Sequence, residues 1–137
     1  SDANIQVQDF SDKLKTFVRS LFKHSNTKIT FTEDIQNERE MNALLGLNLY
    51  RICQEILNNA FKYASATEVN VGMQSGENII ITLSDNGIGL DAAPSLKEQE
   101  LEVHYGLQNI RKRAEEFGIS LTLYSKKGKG TKYMLVV

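Results

Sequence analysis

The apolar residues of this chain change their period near Ser65. From about Asn42 to Ala64, the residues Leu49, Ile52, Cys53, Ile56, Ala60 and Ala64 recur at helical spacing. Beyond it, Val69, Val71 and Met73 alternate with polar neighbours, and Ile79, Ile81 and Leu83 do the same. A helix with one apolar stripe and strands with one apolar face each need a cover, so helix must stack on sheet. The Ser75-Gly76-Glu77-Asn78 stretch reads as a turn, which makes the two strands a hairpin.

The remaining elements extend that arrangement. Phe10, Leu14, Phe17, Val18, Leu21 and Phe22 mark an amphipathic helix from Phe10 to about His24, and Lys28 to Thr32 alternates as a short strand. Gln36 to Glu40 is polar and reads as a connector. Gly46 weakens the first turns of the long helix, and Ser65 is its expected stop. A further helix is expected from Gly106 to Phe117, with Leu107, Ile110, Ala114 and Phe117 inward and Gly118 at C′. Ile119 to Ser125 and Thr131 to Val137 read as two more strands, joined by Lys126-Lys127-Gly128-Lys129-Gly130. Asp91 to Val103 is polar, holds the only proline, Pro94, and is expected to be a mobile loop. The expected fold is an α/β (α+β) two-layer sandwich, a mostly antiparallel sheet with helices on one face.

The chain's 137 residues suit one domain with a core of its own. Ser1-Asp2-Ala3, ahead of any methionine, reads as a cloning remnant on a piece of a longer parent, and residues 1–9 as linker or tag remnant. A net charge of −1 gives no electrostatic support for nucleic-acid or membrane-surface binding. The basic run Arg111-Lys112-Arg113 is followed by Glu115 and Glu116, as on a solvated helix face. Cys53 is the only cysteine, which excludes an intrachain disulfide and a cysteine metal cluster. It stands on the apolar helix face, where a core role is expected. No apolar run reaches the roughly 18 residues a membrane span needs.

Four short stretches carry chemistry. Glu55, Asn59 and Lys62 fall within roughly 60° of one another on a regular helix, away from the apolar stripe. A carboxylate, an amide oxygen and an ammonium in a row suit a metal–phosphate group, and equally a solvated polar edge. Asp85 continues the parity of Ile79, Ile81 and Leu83, so it ends a row of inward-facing side chains. A carboxylate there needs a partner, such as the exocyclic amine of a purine. Asn86-Gly87-Ile88-Gly89 then lets the backbone approach a flat ligand, or simply ends the strand in a turn. His104-Tyr105-Gly106-Leu107 precedes the expected helix, whose free N–H groups would favour phosphate. Gly128-Lys129-Gly130-Thr131 fits a phosphate-lining turn or an ordinary hairpin turn.

In order and spacing these stretches resemble the boxes of the histidine kinase, gyrase, Hsp90 and MutL ATPase superfamily. Residues 55–64 (EILNNAFKYA) resemble its N box, and residues 85–90 (DNGIGL) its G1 box. Residues 105–114 (YGLQNIRKRA) resemble the G2 region of the histidine kinases related to nitrate and degradative-enzyme sensors, and residues 128–131 the last glycine box. Together they cover roughly residues 45 to 137. Val103 stands where many relatives have a glycine, and residues 91–103 contain no phenylalanine box.

The resemblance implies a Bergerat sandwich and the ATP-binding catalytic domain of a two-component sensor histidine kinase. Its cofactors would be ATP and Mg²⁺. Asn59 would ligate Mg²⁺, Lys62 would contact phosphate and Tyr63 would lie against ribose or base. Asp85 would accept from the adenine amino group, and Gly87 and Gly89 would shape the base pocket. Gly106 and Leu107 would offer backbone N–H groups to phosphate, and Thr131 would stand near the adenine-side hydrogen bonds. Glu55 holds the place of the general base in the superfamily's ATP hydrolases, so Glu55 and Asn59 are the catalytic candidates.

The phosphoryl acceptor would be a histidine on a dimerisation domain of the same parent, with a response regulator downstream. The fragment would be monomeric, and its parent a homodimeric inner-membrane sensor with this domain in the cytoplasm. His24 ends a helix without an acidic neighbour, so a surface role is expected there, and His104 is expected in the lid. Two other readings keep the fold: an anti-sigma-type serine kinase, and a nucleotide-binding signalling module without transferase activity.

Overall fold

The computed structural model describes residues 3–90 and 97–137. In chain order come β1 (Asn4–Gln6), α1 (Val7–Leu21), β2 (Lys28–Asp34), β3 (Glu40–Asn42) and α2 (Ala43–Asn59). A π-helical turn (Ala60–Ala64) extends α2, and β4 (Glu68–Ser75), β5 (Ile79–Asp85), α3 (Glu98–Glu116), β6 (Ser120–Ser125) and β7 (Thr131–Val136) follow. Five strands form one sheet in the order β2-β4-β5-β7-β6. β2 runs parallel to β4, and every other pair is antiparallel. The expected hairpin is β4–β5, with Val71 opposite Leu83. The two-layer sandwich with a mostly antiparallel sheet and helices on one face is therefore the observed fold.

The two periods meet in a single core. Leu14 and Val18 of α1 and Leu49, Ile52 and Cys53 of α2 pack with Val69, Val71, Ile81, Leu83 and Leu135 of the sheet, all buried. Each such large aliphatic side chain contributes roughly 1.5–3 kcal/mol through burial. Asn42 caps α2, its side chain accepting from the Leu45 N–H at 3.1 Å. α3 is tied to α2 through Arg113, whose guanidinium donates to the buried Asn48 side chain at 2.7 Å.

Three expectations need correction. Residues 4–9, read as linker or tag remnant, are folded: β1 pairs with β3, and Val7 opens α1 fully buried. One short strand and the first helical turn carry too few apolar residues to show a period. Second, the helix expected to begin at Gly106 begins at Glu98. The loop reading of residues 91–103 thus fails for 98–103; residues 91–96, with Pro94, lie outside those described. Val103 rather than glycine lets the helical ladder run on. Third, the long helix does not stay regular to Ala64 but widens into the π-turn. Ser65, with φ of 51°, ends it as expected. The cloning-remnant reading falls on Ser1 and Asp2, outside the described residues, and on Ala3, whose carbonyl accepts from the Ala43 N–H.

Candidate functional site

The site is built where the loop after β5, the β6–β7 turn and α3 meet the end of α2. Glu55 and Asn59 lie one turn apart on the polar edge of α2. Lys62 and Tyr63 sit in the π-turn, so Lys62 does not keep the angular offset from Glu55 and Asn59 expected of a regular helix. π-turns recur at functional sites because they re-aim a side chain without breaking the helix.

Asp85 closes β5 on the helix-covered face, half-buried. Burial pushes its carboxyl above the usual range, while backbone N–H groups of Gly87 and Thr131 pull it down. The Gly87 N–H donates to Asp85 Oδ1 at 2.8 Å. The loop after Asp85 is stitched to the π-turn, because the Ile88 N–H donates to the Ala64 carbonyl at 2.8 Å. A Cβ on Gly87 would stand 2.1 Å from that same carbonyl oxygen, so only glycine allows the approach. Gly89 comes equally close to Lys126, and Gly128 donates to the Ile88 carbonyl at 2.6 Å. The loop is thereby held between the end of α2 and the β6–β7 turn. Thr131 is buried, and its hydroxyl pairs with that of Ser125 at 2.8 Å.

α3 lies along the polar edge of α2. A Cβ on Gly106 would be 3.2 Å from Glu55 Oε1 and 3.5 Å from Asn59 Nδ2. The Tyr63 hydroxyl donates to the Glu102 carboxylate, which raises the phenol's pKa. A cavity of about 330 Å³ opens between α3 and the loop after β5, lined by Ile88, Gly89, Leu90, Val103, His104 and Leu107 among others. That is the lower end of the volume range for small-ligand pockets.

Two groups of expected residues are therefore assembled. Glu55, Asn59 and Gly106 meet on one side, and Asp85, Gly87, Gly89 and Thr131 on the other, with the π-turn of Lys62 and Tyr63 between them. The helix-start argument for Gly106 and Leu107 is corrected: both lie inside α3, where their N–H groups belong to the ladder. Leu107 instead lines the cavity with its side chain.

Sequence reasoning missed Asn86 and Ser125. The Asn86 side chain accepts from the Thr67 and Glu68 N–H groups at 2.9 and 3.0 Å and donates to Thr67 Oγ1 at 2.8 Å. It thus anchors the loop to the start of β4. Ser125 Oγ accepts from the Leu90 N–H at 2.8 Å. Asn86 was readable as a turn residue; the link from Ser125 to Leu90 left no local signal, since the two are 35 residues apart.

Residues 45–137 match the family model described as histidine kinase-, DNA gyrase B- and HSP90-like ATPase. The chain belongs to this family. Within it, the chain is 30% identical over 129 residues to the nitrate/nitrite sensor protein NarQ of Escherichia coli K12, covering 93% of this chain and 22% of NarQ. It is 38% identical over 87 residues to the sensor histidine kinase ComP of Bacillus subtilis 168, 63% of this chain and 11% of ComP. The chain thus spans about a fifth or less of these relatives. The catalytic domain of histidine kinase ThkA has the same fold, with a TM-score of 0.75 at 10% identity, covering 98% of this chain and 93% of that one. So has the histidine kinase domain of the blue-light activated kinase of Erythrobacter litoralis EL346, with a TM-score of 0.71 at 16% identity, covering 93% of this chain and 60% of that one. Among the described residues, no helix is long and apolar enough to cross a membrane.

Proposed function

We propose that the chain is the ATP-binding catalytic domain of a two-component sensor histidine kinase, presenting Mg²⁺–ATP to a histidine on a dimerisation domain of the same parent. The observation that carries this reading is the meeting of two unlike half-sites. A half-buried carboxylate, Asp85, closes the sheet beside a glycine-shaped loop, and a carboxylate and an amide, Glu55 and Asn59, edge the helix joined to that loop through Ala64. The first half suits an aminopurine, because a desolvated acceptor gains most from an amine donor. The second suits a magnesium-bound triphosphate.

The donor set fits the metal. Mg²⁺ takes one or two protein oxygens and fills its octahedron from phosphates and water. The Asn59 amide oxygen would hold it, with Glu55 beside it. Bound there, the ion would neutralise charge on the phosphates. The chain's own residues orient the nucleotide: Asp85 and the Gly87–Gly89 loop hold the base, Tyr63 borders the ribose and Lys62 meets phosphate. Thr131 supports the base side through Ser125. Phosphoryl transfer needs chiefly positioning and charge neutralisation. The γ-phosphorus would pass from the bridging oxygen of ADP to an imidazole nitrogen of the acceptor. A response regulator downstream, a homodimeric parent and a cytoplasmic placement below a membrane sensor belong to the same reading, supported by the kinship with NarQ and ComP.

Calorimetric titration with ATP, with and without Mg²⁺, tests it. Binding is expected to weaken about tenfold or more in Asp85→Asn with or without the metal, and in Asn59→Ala only when Mg²⁺ is present. No nucleotide binding, or indifference to both substitutions, would sink the assignment.

A further inference from the structure

Tyr133 has no role in the site so far described, yet it stands on the same sheet face. In the β5–β7 register Asp85 faces Thr131 and Leu83 faces Tyr133, so Tyr133 is the diagonal neighbour of Asp85. Diagonal positions on one face lie within reach of an aromatic side chain. The residue is 6% exposed, in the row formed by Thr131 and Leu135. Its hydroxyl has no hydrogen-bond partner among the described residues. Nor is any fully enclosed side-chain oxygen left without a partner there. The phenolic oxygen is therefore not fully enclosed, although the residue as a whole is buried. Burial first, then the charge of Asp85, pushes the phenol's pKa up to about 12, with Arg111 of α3 opposing.

A phenylalanine would fill this row beside Leu83 and Leu135 as well as tyrosine does, so packing alone does not call for the O–H group. The hydroxyl adds a donor at the one edge of this residue that is not enclosed, and tyrosines buried to this degree usually give that group a partner. A donor without a partner among the described residues, beside a carboxylate that keeps lone pairs to spare beyond its bond from Gly87, describes a ligand. We propose that Tyr133 is a specificity-determining residue of the base pocket, its hydroxyl donating to a ring nitrogen next to the exocyclic amine of the purine that Asp85 holds. This rests on the reading of Asp85 as the acceptor for that amine. Adenine presents the complementary pair, an amine donor flanked by ring nitrogens N1 and N7. Guanine places a carbonyl oxygen where the amine stands, against the carboxylate, and is excluded.

The test is calorimetry on the chain with Mg²⁺ and three nucleotides: ATP, 1-deaza-ATP and 7-deaza-ATP. The unaltered chain is expected to bind one deaza nucleotide about tenfold more weakly than ATP, the worth of one net hydrogen bond. Tyr133→Phe is expected to lose about the same factor with ATP and nothing further with that deaza nucleotide. Equal affinity of the unaltered chain for all three nucleotides overturns the proposal, and needs no variant to fold. So does Tyr133→Phe that binds ATP normally, or that weakens equally for all three. Asp85→Asn separates the two readings. If it weakens ATP binding while Tyr133→Phe does not, only the role of Tyr133 falls; if neither matters, the base pocket itself is misassigned.

Discussion

The Tyr63 hydroxyl donates to the Glu102 carboxylate, joining the π-turn at the end of α2 to the front half of α3. Tyr63 stands next to Lys62, the residue proposed to meet phosphate, and Glu102 brings a negative charge to that turn. Glu102→Ala removes that charge and frees the front of α3. ATP affinity is expected to rise severalfold, and amide exchange to speed up over residues 98–105. Unchanged exchange there would show that the contact holds nothing in place.

Asp85 is expected to trade stability against binding. Its folded-state pKa lies above the unfolded value, so the native state binds the proton more tightly. Stability from this group is then greatest below the unfolded pKa and falls as pH rises through the folded one, leaving the full penalty at neutral pH. Asp85→Asn keeps an acceptor for the Gly87 N–H and removes the charge. It should melt a few degrees higher at neutral pH, with the gain shrinking as pH falls into the carboxylate range, while ATP binding drops. Melting curves across pH check the sign; a lower melting point at neutral pH would refute it.

Gly130 and Gly128 both have positive φ, 83° and 79°, yet differ in surroundings. A Cβ on Gly130 would stand 2.1 Å from the Asp85 carbonyl oxygen, whereas one on Gly128 meets nothing within 4 Å. Gly128→Ala is expected to cost about 1–2 kcal/mol, the backbone penalty alone. Gly130→Ala should cost about 3 kcal/mol or more, since the β5–β7 junction must also shift. Denaturant titrations of the two variants compare them directly, and equal losses would contradict the steric argument.

Cys53 is fully buried in α2, and burial pushes its thiol well above the ordinary range. The thiolate is the reactive form, so alkylation should proceed only through unfolding. Labelling by a maleimide should accelerate with denaturant in step with the unfolding transition. Rapid labelling of the native chain would place the thiol elsewhere.

Much of this molecule was legible in its residues because period and turn chemistry are local. The alternation of Ile79, Ile81, Leu83 and Asp85 determined both the strand and the inward aim of the carboxylate. The stripe from Leu49 to Ile56 determined the helix that covers it, and the glycines of residues 85–89 and 128–130 marked the tight loops. Tertiary structure alone decided that Gly87 abuts Ala64, that Gly130 abuts Asp85, and that Gly106 lies over Glu55 and Asn59 inside a helix rather than at its start. It also decided that β2 runs parallel to β4 and that Tyr133 shares a face with Asp85. The reason is physical: side-chain periodicity reports which face of an element is apolar, but not which element covers it or how closely two backbones pass. Those distances are set only once every apolar face has found its partner.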